Sequence, residues 1–223
     1  MEKTRENIPE KGAAVQKDME NYAIIPYIPG GLLDPVTLRK LADVAEKYQV
    51  KHLKVTSEHR IGFYGIREDQ IGPILEELEM EPGGFTGKCV RGVKFCIGNT
   101  SCKKAYQNTL ELGLKIDENF HKTPTPDKVK ISLSGCPNSC AESKVRDIGI
   151  IGTPKGWRYL VGGTCGLQVK EGKVLAKNLS DEEVLDLTTE ILDYYKKIDF
   201  KKRLGYLIEN EGFETFKEEV LKK

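Results

Sequence analysis

Residues 1 to about 21 are polar and follow no period, so they predict an arm without a motif. From Asn21 the apolar run YAIIPYI reads as a strand. Asp34-Pro35 then supplies an N-cap and a first-turn proline, with Val36, Leu41, Val44, Ala45 and Tyr48 following at helical spacing. His52 to Ser57 alternates as a strand does, and Arg60 to Gly65 reads as its hairpin partner or its continuation. Ile71, Ile74, Leu75 and Leu78 mark a second amphipathic helix. Residues 22–85 thus predict an α/β half-domain, closed by the Pro- and Gly-dense connector PGGFTG at 82–87.

Beyond the connector the pattern predicts a short strand over Val90–Phe95 and a helix from about Cys102 to Phe120. A second strand follows over Val129–Leu133, and then short β pieces with glycine turns to about Ala176. Ser180-x-x-Glu183 is a capping box, and Val184, Leu187, Ile191 and Leu192 continue it as an amphipathic helix. The boundaries expected are therefore an arm (1–21), a half-domain (22–85), a core (86–177) and a C-terminal helical segment (178–223), in an α/β (α+β) protein.

Composition narrows the function classes. Lys and Arg (35) nearly balance Asp and Glu (34), which speaks against a polyanion-coating or nucleic-acid-binding protein. The charged N-terminus lacks the apolar stretch of a secretory signal, and Tyr22–Leu33 is too short and too broken by Pro26 and Pro29 to cross a bilayer. The expectation is a cytoplasmic protein without membrane contact. In such a reducing compartment, closely spaced cysteines more often bind metal than form disulfides.

Four of the six cysteines carry the chemistry. Cys96-x5-Cys102 lies in FCIGNTSC and Cys136-x3-Cys140 in SGCPNSC, each pair after a predicted strand. Adjacent parallel strands would deliver both pairs to one sheet edge, where four thiolates suit a [4Fe-4S] cube. The Gly and Asn residues between them, including Asn99 and Asn138, suit tight loops whose backbone N–H groups face cluster sulfurs and raise the potential. Cys102 and Cys140 lie near possible helix starts, where the dipole favours a thiolate. Zinc is the alternative, although its pairs more often show shorter spacing than x5. Cys89 and Cys165 read as ordinary buried thiols.

With these motifs the chain resembles the sirohaem-containing nitrite and sulfite reductase family, whose signature is C-x5-C followed by C-x3-C. CVRGVKFCIGNTSC and PDKVKISLSGCPNSC look like its cluster loops, KVTSEHRIGFYGI like its substrate-side strand, and KKRLGYLIENEGFETF like its C-terminal region. With one copy of the repeated unit, the chain is most similar to the small, assimilatory-type sulfite reductases. The resemblance implies a ferredoxin-like half-domain and a core binding sirohaem and a [4Fe-4S] cluster. It also implies a low-potential external electron donor such as a ferredoxin, and an analogy with two-copy relatives suggests a homo-oligomer. Cys96, Cys102, Cys136 and Cys140 would hold the cluster, with Cys140 bridging to the sirohaem iron.

Sulfite and nitrite are anions and sirohaem carries many carboxylates, so the site needs cations that stay charged when desolvated. Arg91, Lys128 and Lys130 match family positions that hold the anion, and a lysine there also supplies protons. Thr56 and His59 fall in the substrate-side segment. Where relatives commonly read Thr-Thr-Arg-Gln, this chain reads Thr56-Ser57-Glu58-His59. Arg60, expected on the same strand face as Glu58, would restore the lost charge. The implied reaction is multi-electron reduction of sulfite to sulfide. Nitrite reduction, a subunit role in a dissimilatory enzyme and a non-catalytic electron carrier stay open as alternatives.

Overall fold

A computed structural model describes residues 5–222, which fall into two compact units divided after Gly87.

The first unit is a four-stranded antiparallel sheet in the order β1-β2-β4-β3, built from β1 (Ala13–Val15), β2 (Tyr22–Ile24), β3 (His52–Val55) and β4 (Ile61–Ile66). Its two helices are α1 (Pro35–Lys47) and α2 (Glu68–Leu78). Asp34 caps α1 as its sequence predicts, its side chain accepting the Thr37 N–H at 2.7 Å with Pro35 in the first turn. Leu41 and Val44 of α1, Ile71, Ile74 and Leu78 of α2, and Ile24, Phe63 and Ile66 of the sheet share one core. The apolar run after Asn21 yields only three strand residues, because Pro26 has no N–H for a ladder.

Two expectations are corrected here. Residues 13–15 of the expected arm are an edge strand paired with β2, and Ala13 is fully buried; residues 1–4 lie outside the described residues. Residues 56–60 form the turn joining β3 to β4 rather than a strand, closed by the Thr56 N–H on the Arg60 carbonyl at 2.7 Å. Glu58 and Arg60 therefore share no strand face.

The second unit has a five-stranded mixed sheet in the order β11-β8-β7-β6-β5. Its strands are β5 (Lys94–Phe95), β6 (Ile131–Ser134), β7 (Ile148–Thr153), β8 (Gly156–Val161) and β11 (Lys173–Leu179), while β9 (Thr164–Cys165) and β10 (Val169–Lys170) form a small separate ribbon. β5, β6 and β7 run parallel, with Phe95 opposite Leu133 and Ile131 opposite Ile148. Helix α3 (Thr109–Phe120) packs on β5 and β6. Three helices complete the chain: α4 (Asp181–Ile198), α5 (Leu204–Glu211) and α6 (Phe213–Leu221). The capping box forms reciprocally, Ser180 Oγ taking the Glu183 N–H and Glu183 Oε2 the Ser180 N–H. Trp157, Tyr159, Tyr195 and Phe216 are fully buried beside the apolar strand residues, each large side chain contributing about 1.5–3 kcal/mol.

Helix α3 starts seven residues later than its periodicity predicts. Residues 98–107 commit their backbone groups to loop contacts, and the helix begins where the Asn108 side chain accepts the Glu111 N–H.

Candidate functional site

The site is assembled at the two ends of the parallel pair β5–β6. At the C-terminal end stand the cysteines. Cys96 follows the last residue of β5 and donates its N–H to the Leu133 carbonyl at 3.2 Å. Its sulfur accepts the Gly135 N–H at 3.2 Å, which ties it to the residue immediately before Cys136. The loop carrying Cys102 folds over the same point, since the Tyr106 N–H donates to the Gly135 carbonyl at 2.8 Å and the Cys102 N–H to the Gly98 carbonyl at 2.9 Å. On the other side, the Ala141 N–H bonds Ser134 Oγ at 3.1 Å and the Ser139 N–H bonds the Cys136 carbonyl at 3.2 Å, which fixes the chain either side of Cys140.

Two glycines make this crowding possible. A Cβ on Gly135 would stand 2.8 Å from the Ala105 Cβ, and Gly98 has φ +64° with its would-be Cβ 2.4 Å from Thr109 Oγ1. Both cysteine pairs thus lie on interlocked loops at one sheet edge, as the motif spacing predicts. All six cysteines are free thiols, with Cys136 buried, Cys96 and Cys102 half-buried and Cys140 exposed.

Among the described residues no three His, Cys, Asp or Glu side chains converge as a single metal ion would need. A cube presents its irons at separate corners and takes one thiolate at each, so the donor set and the Gly135 N–H directed at a cysteine sulfur fit a [4Fe-4S] cluster.

Some details depart from expectation. Neither Cys102 nor Cys140 sits at an α-helix start, because α3 begins at Thr109 and Cys140 is followed only by a single 3-10 turn, Ser143–Val145. Cys165 is exposed on β9 and Cys89 is half-buried, so neither is a fully buried thiol. Burial pushes the Cys89 thiol up, against the pull of Arg91 and Lys122. Asn99 ties its own loop, donating its N–H to the Gln107 carbonyl, and Asn138 is exposed between the second pair.

At the N-terminal end of the same strands stand cations. The Arg91 N–H donates to the Val129 carbonyl at 2.8 Å, and Val90 bridges Val129 in parallel, so Arg91 lies on the backbone adjoining Lys128 and Lys130. Val129 between the two lysines is buried while both lysines are half-buried, so they share one side of the extended chain. β6, whose four residues span roughly 13 Å at about 3.3 Å each, separates these cations from the cysteine loops.

Thr56, His59 and Arg60 belong to the first unit. Arg60 is 4% exposed and donates from Nη1 to the Glu58 carbonyl at 3.3 Å, and its N–H reaches Thr56 Oγ1 at 3.2 Å. His59 takes a left-handed conformation, φ +60°, within that turn.

Sequence reasoning misses two buried charge groups. Lys94 of β5 is 3% exposed, and its ammonium meets Glu142 Oε2 at 3.1 Å; Arg146 reaches the same carboxylate. Burial raises the Glu142 carboxyl, but the Lys94 and Arg146 cations more than reverse this and hold it below its ordinary value. Asp147, 1% exposed, is gripped by Arg203 in a two-point fork. The available signal was a charged residue set into or just before an apolar run, VKF for Lys94 and RDIGII for Asp147.

Residues 86–223 match the nitrite and sulphite reductase 4Fe-4S domain, and residues 14–81 the nitrite/sulfite reductase ferredoxin-like half domain. The chain is 37% identical over 212 residues to an assimilatory-type sulfite reductase of Nitratidesulfovibrio vulgaris, covering 95% of this chain and 97% of that one. It is 35% identical over 201 residues to the NAD(P)H nitrite reductase of Bacillus subtilis, where it spans 90% of this chain but 25% of the larger protein. Among solved structures, dissimilatory sulfite reductase I aligns with a TM-score of 0.81 at 16% identity over 91% of this chain and 69% of that chain, a likeness of fold.

Proposed function

Since the chain belongs to the nitrite and sulfite reductase family and is a sulfite reductase-type oxidoreductase with a [4Fe-4S] cluster and a sirohaem, we propose that its task is the multi-electron reduction of sulfite to sulfide. The observation that carries this reading is the arrangement at β5–β6, with interlocked cysteine loops at one end and Arg91, Lys128 and Lys130 on adjoining backbones at the other.

In this reading Cys96, Cys102, Cys136 and Cys140 would hold the cluster, with Cys140 the cysteine that would also serve the sirohaem. When bound, the two groups would supply electrons singly and a redox-active iron. The protein's own residues do the rest. Arg91 offers a permanent planar cation to the anion's oxygens. Lys128 and Lys130 add charge and deliver protons, which each oxygen needs in order to leave as water. Arg60, fixed in its turn by Glu58 and Thr56, contributes a further desolvated cation, with Thr56 and His59 as hydrogen-bonding groups toward the sirohaem. Asn99 and Asn138 shape the loops whose N–H groups face the cluster sulfurs.

The electrons come from an external low-potential donor of the ferredoxin kind, in the cytoplasm, and the working form is a homo-oligomer. Among the described residues no helix is long and apolar enough to cross a membrane. Steady-state turnover with sulfite and with nitrite under a low-potential donor tests the reading. Sulfite is expected to give the larger kcat/KM, and a clear preference for nitrite would replace this proposal with the nitrite reductase alternative, which the similarity to the Bacillus subtilis enzyme favours.

A further inference from the structure

We propose that Asp147 and Arg203 form a clamp that positions Lys130, and that this clamp sets the strength with which the substrate anion is held. The inference rests on the reading of Lys130 as an anion-binding proton donor. The regular β6–β7 ladder begins at Ile131 opposite Ile148, so Lys130 lies one residue outside it. Its backbone is nevertheless fixed at both polar groups: its N–H donates to Asp147 Oδ2 at 2.8 Å, and its carbonyl accepts the Ile148 N–H at 3.1 Å. A side-chain oxygen thus takes the place of a strand carbonyl at the residue where the chain leaves the sheet.

That oxygen is itself immobilised. Arg203 Nε donates to Asp147 Oδ1 at 3.1 Å and Nη2 to Oδ2 at 2.7 Å, while Nη1 donates to Thr164 Oγ1 at 3.0 Å. The Asp147 carbonyl in turn accepts the Gly162 N–H at 2.8 Å. Burial pushes the Asp147 carboxyl up from its ordinary value, against the guanidinium and the Lys130 N–H. A planar fork is the geometry that keeps such a carboxylate in one orientation. Arg203 occupies the N-cap position of α5 and stands 56 residues from Asp147, so this side chain links the C-terminal helices to the Lys130 segment. Asp147 and Arg203 are positioning residues, acting through Lys130.

The test uses the loaded enzyme in three variants, Lys130→Met, Asp147→Asn and Arg203→Lys, each checked for iron content and melting temperature. The readouts are the KM for sulfite, kcat, and amide hydrogen exchange over residues 128–133. Asp147→Asn is expected to raise the KM for sulfite about tenfold with a smaller change in kcat, and to speed exchange at the Lys130 amide. Arg203→Lys, which keeps the charge but loses the fork, should fall between that variant and the parent, and it carries the test if Asp147→Asn does not fold. If Lys130→Met weakens sulfite binding while the folded, loaded clamp variants change neither KM nor exchange, the clamp is overturned. If Lys130→Met itself leaves the KM unchanged, the reading of Lys130 fails and the inference falls with it.

Discussion

The two ends of the β5–β6 pair are built on different principles. The cysteine end is made from two short loops that brace each other directly, through the bonds of Tyr106 and the Cys96 sulfur to Gly135 and of Cys102 to Gly98. The cation end depends on distant residues. Arg91 reaches across to Val129, and Lys130 is held by a carboxylate whose orientation depends on Arg203 at the far end of the unit. A ligand set for a rigid inorganic group can be encoded in short motifs. An array of long flexible cations has to be braced from elsewhere, because side chains such as lysine lose about 1.5–2 kcal/mol of rotamer freedom when ordered.

The largest effect that would sharpen the contrast is at the cysteine end. Cys136→Ser should abolish the cluster and turnover together, seen as loss of acid-labile sulfide from a chain that still folds. Gly135→Ala comes next. Its methyl would press on Ala105 at 2.8 Å and on the Gly98 Cα at 3.2 Å, so a destabilisation of about 1–3 kcal/mol is expected in denaturant melts, with reduced iron loading. If Gly135→Ala melts as the parent does, the loops are less interlocked than described.

Glu142→Gln should cost about 1–2 kcal/mol at neutral pH. It strands Lys94 and Arg146, but the exposure of Glu142 reduces the penalty below that of a fully buried pair. Because the folded-state value of Glu142 lies below its ordinary 4.5, its contribution is fully present above about pH 4.5 and is lost as the pH falls through the lower folded value. Melts across pH 3–7 should show the parent and Glu142→Gln converging at the acid end; a gap constant with pH would contradict the assignment. The smallest effect belongs to Cys165→Ser, which should leave iron, sulfide and turnover unchanged, since that exposed thiol lies on the separate β9–β10 ribbon and outside both cysteine motifs.

Much of this was legible in the sequence for physical reasons. The helix caps at Asp34 and Ser180 are local hydrogen-bond signals and formed as written. The cysteine pairs follow strands, and the parallel pairing of β5 with β6 brings their loops together. What was not legible involves competition between local and tertiary demands. The periodicity that predicts a helix from Cys102 is overridden by loop contacts to Gly135, and the alternation that places Glu58 and Arg60 on one strand is overridden by a turn. The arm's Ala13–Val15 lacks any strong strand signal and pairs only because β2 offers an open edge. Asp147 and Arg203 were invisible because a charge beside an apolar run does not name its partner.

The proposed function requires four thiolates from two loops to hold one cube beside a tetrapyrrole. Its most direct test is to count iron, acid-labile sulfide and zinc in anaerobically purified protein, alongside a variant in which Cys136 and Cys140 are both serine. The expected result is iron exceeding sulfide by one per chain in the parent, the excess being the haem iron, with sulfide lost in the variant. Zinc in place of iron, or full sulfide in the doubly substituted chain, would contradict it.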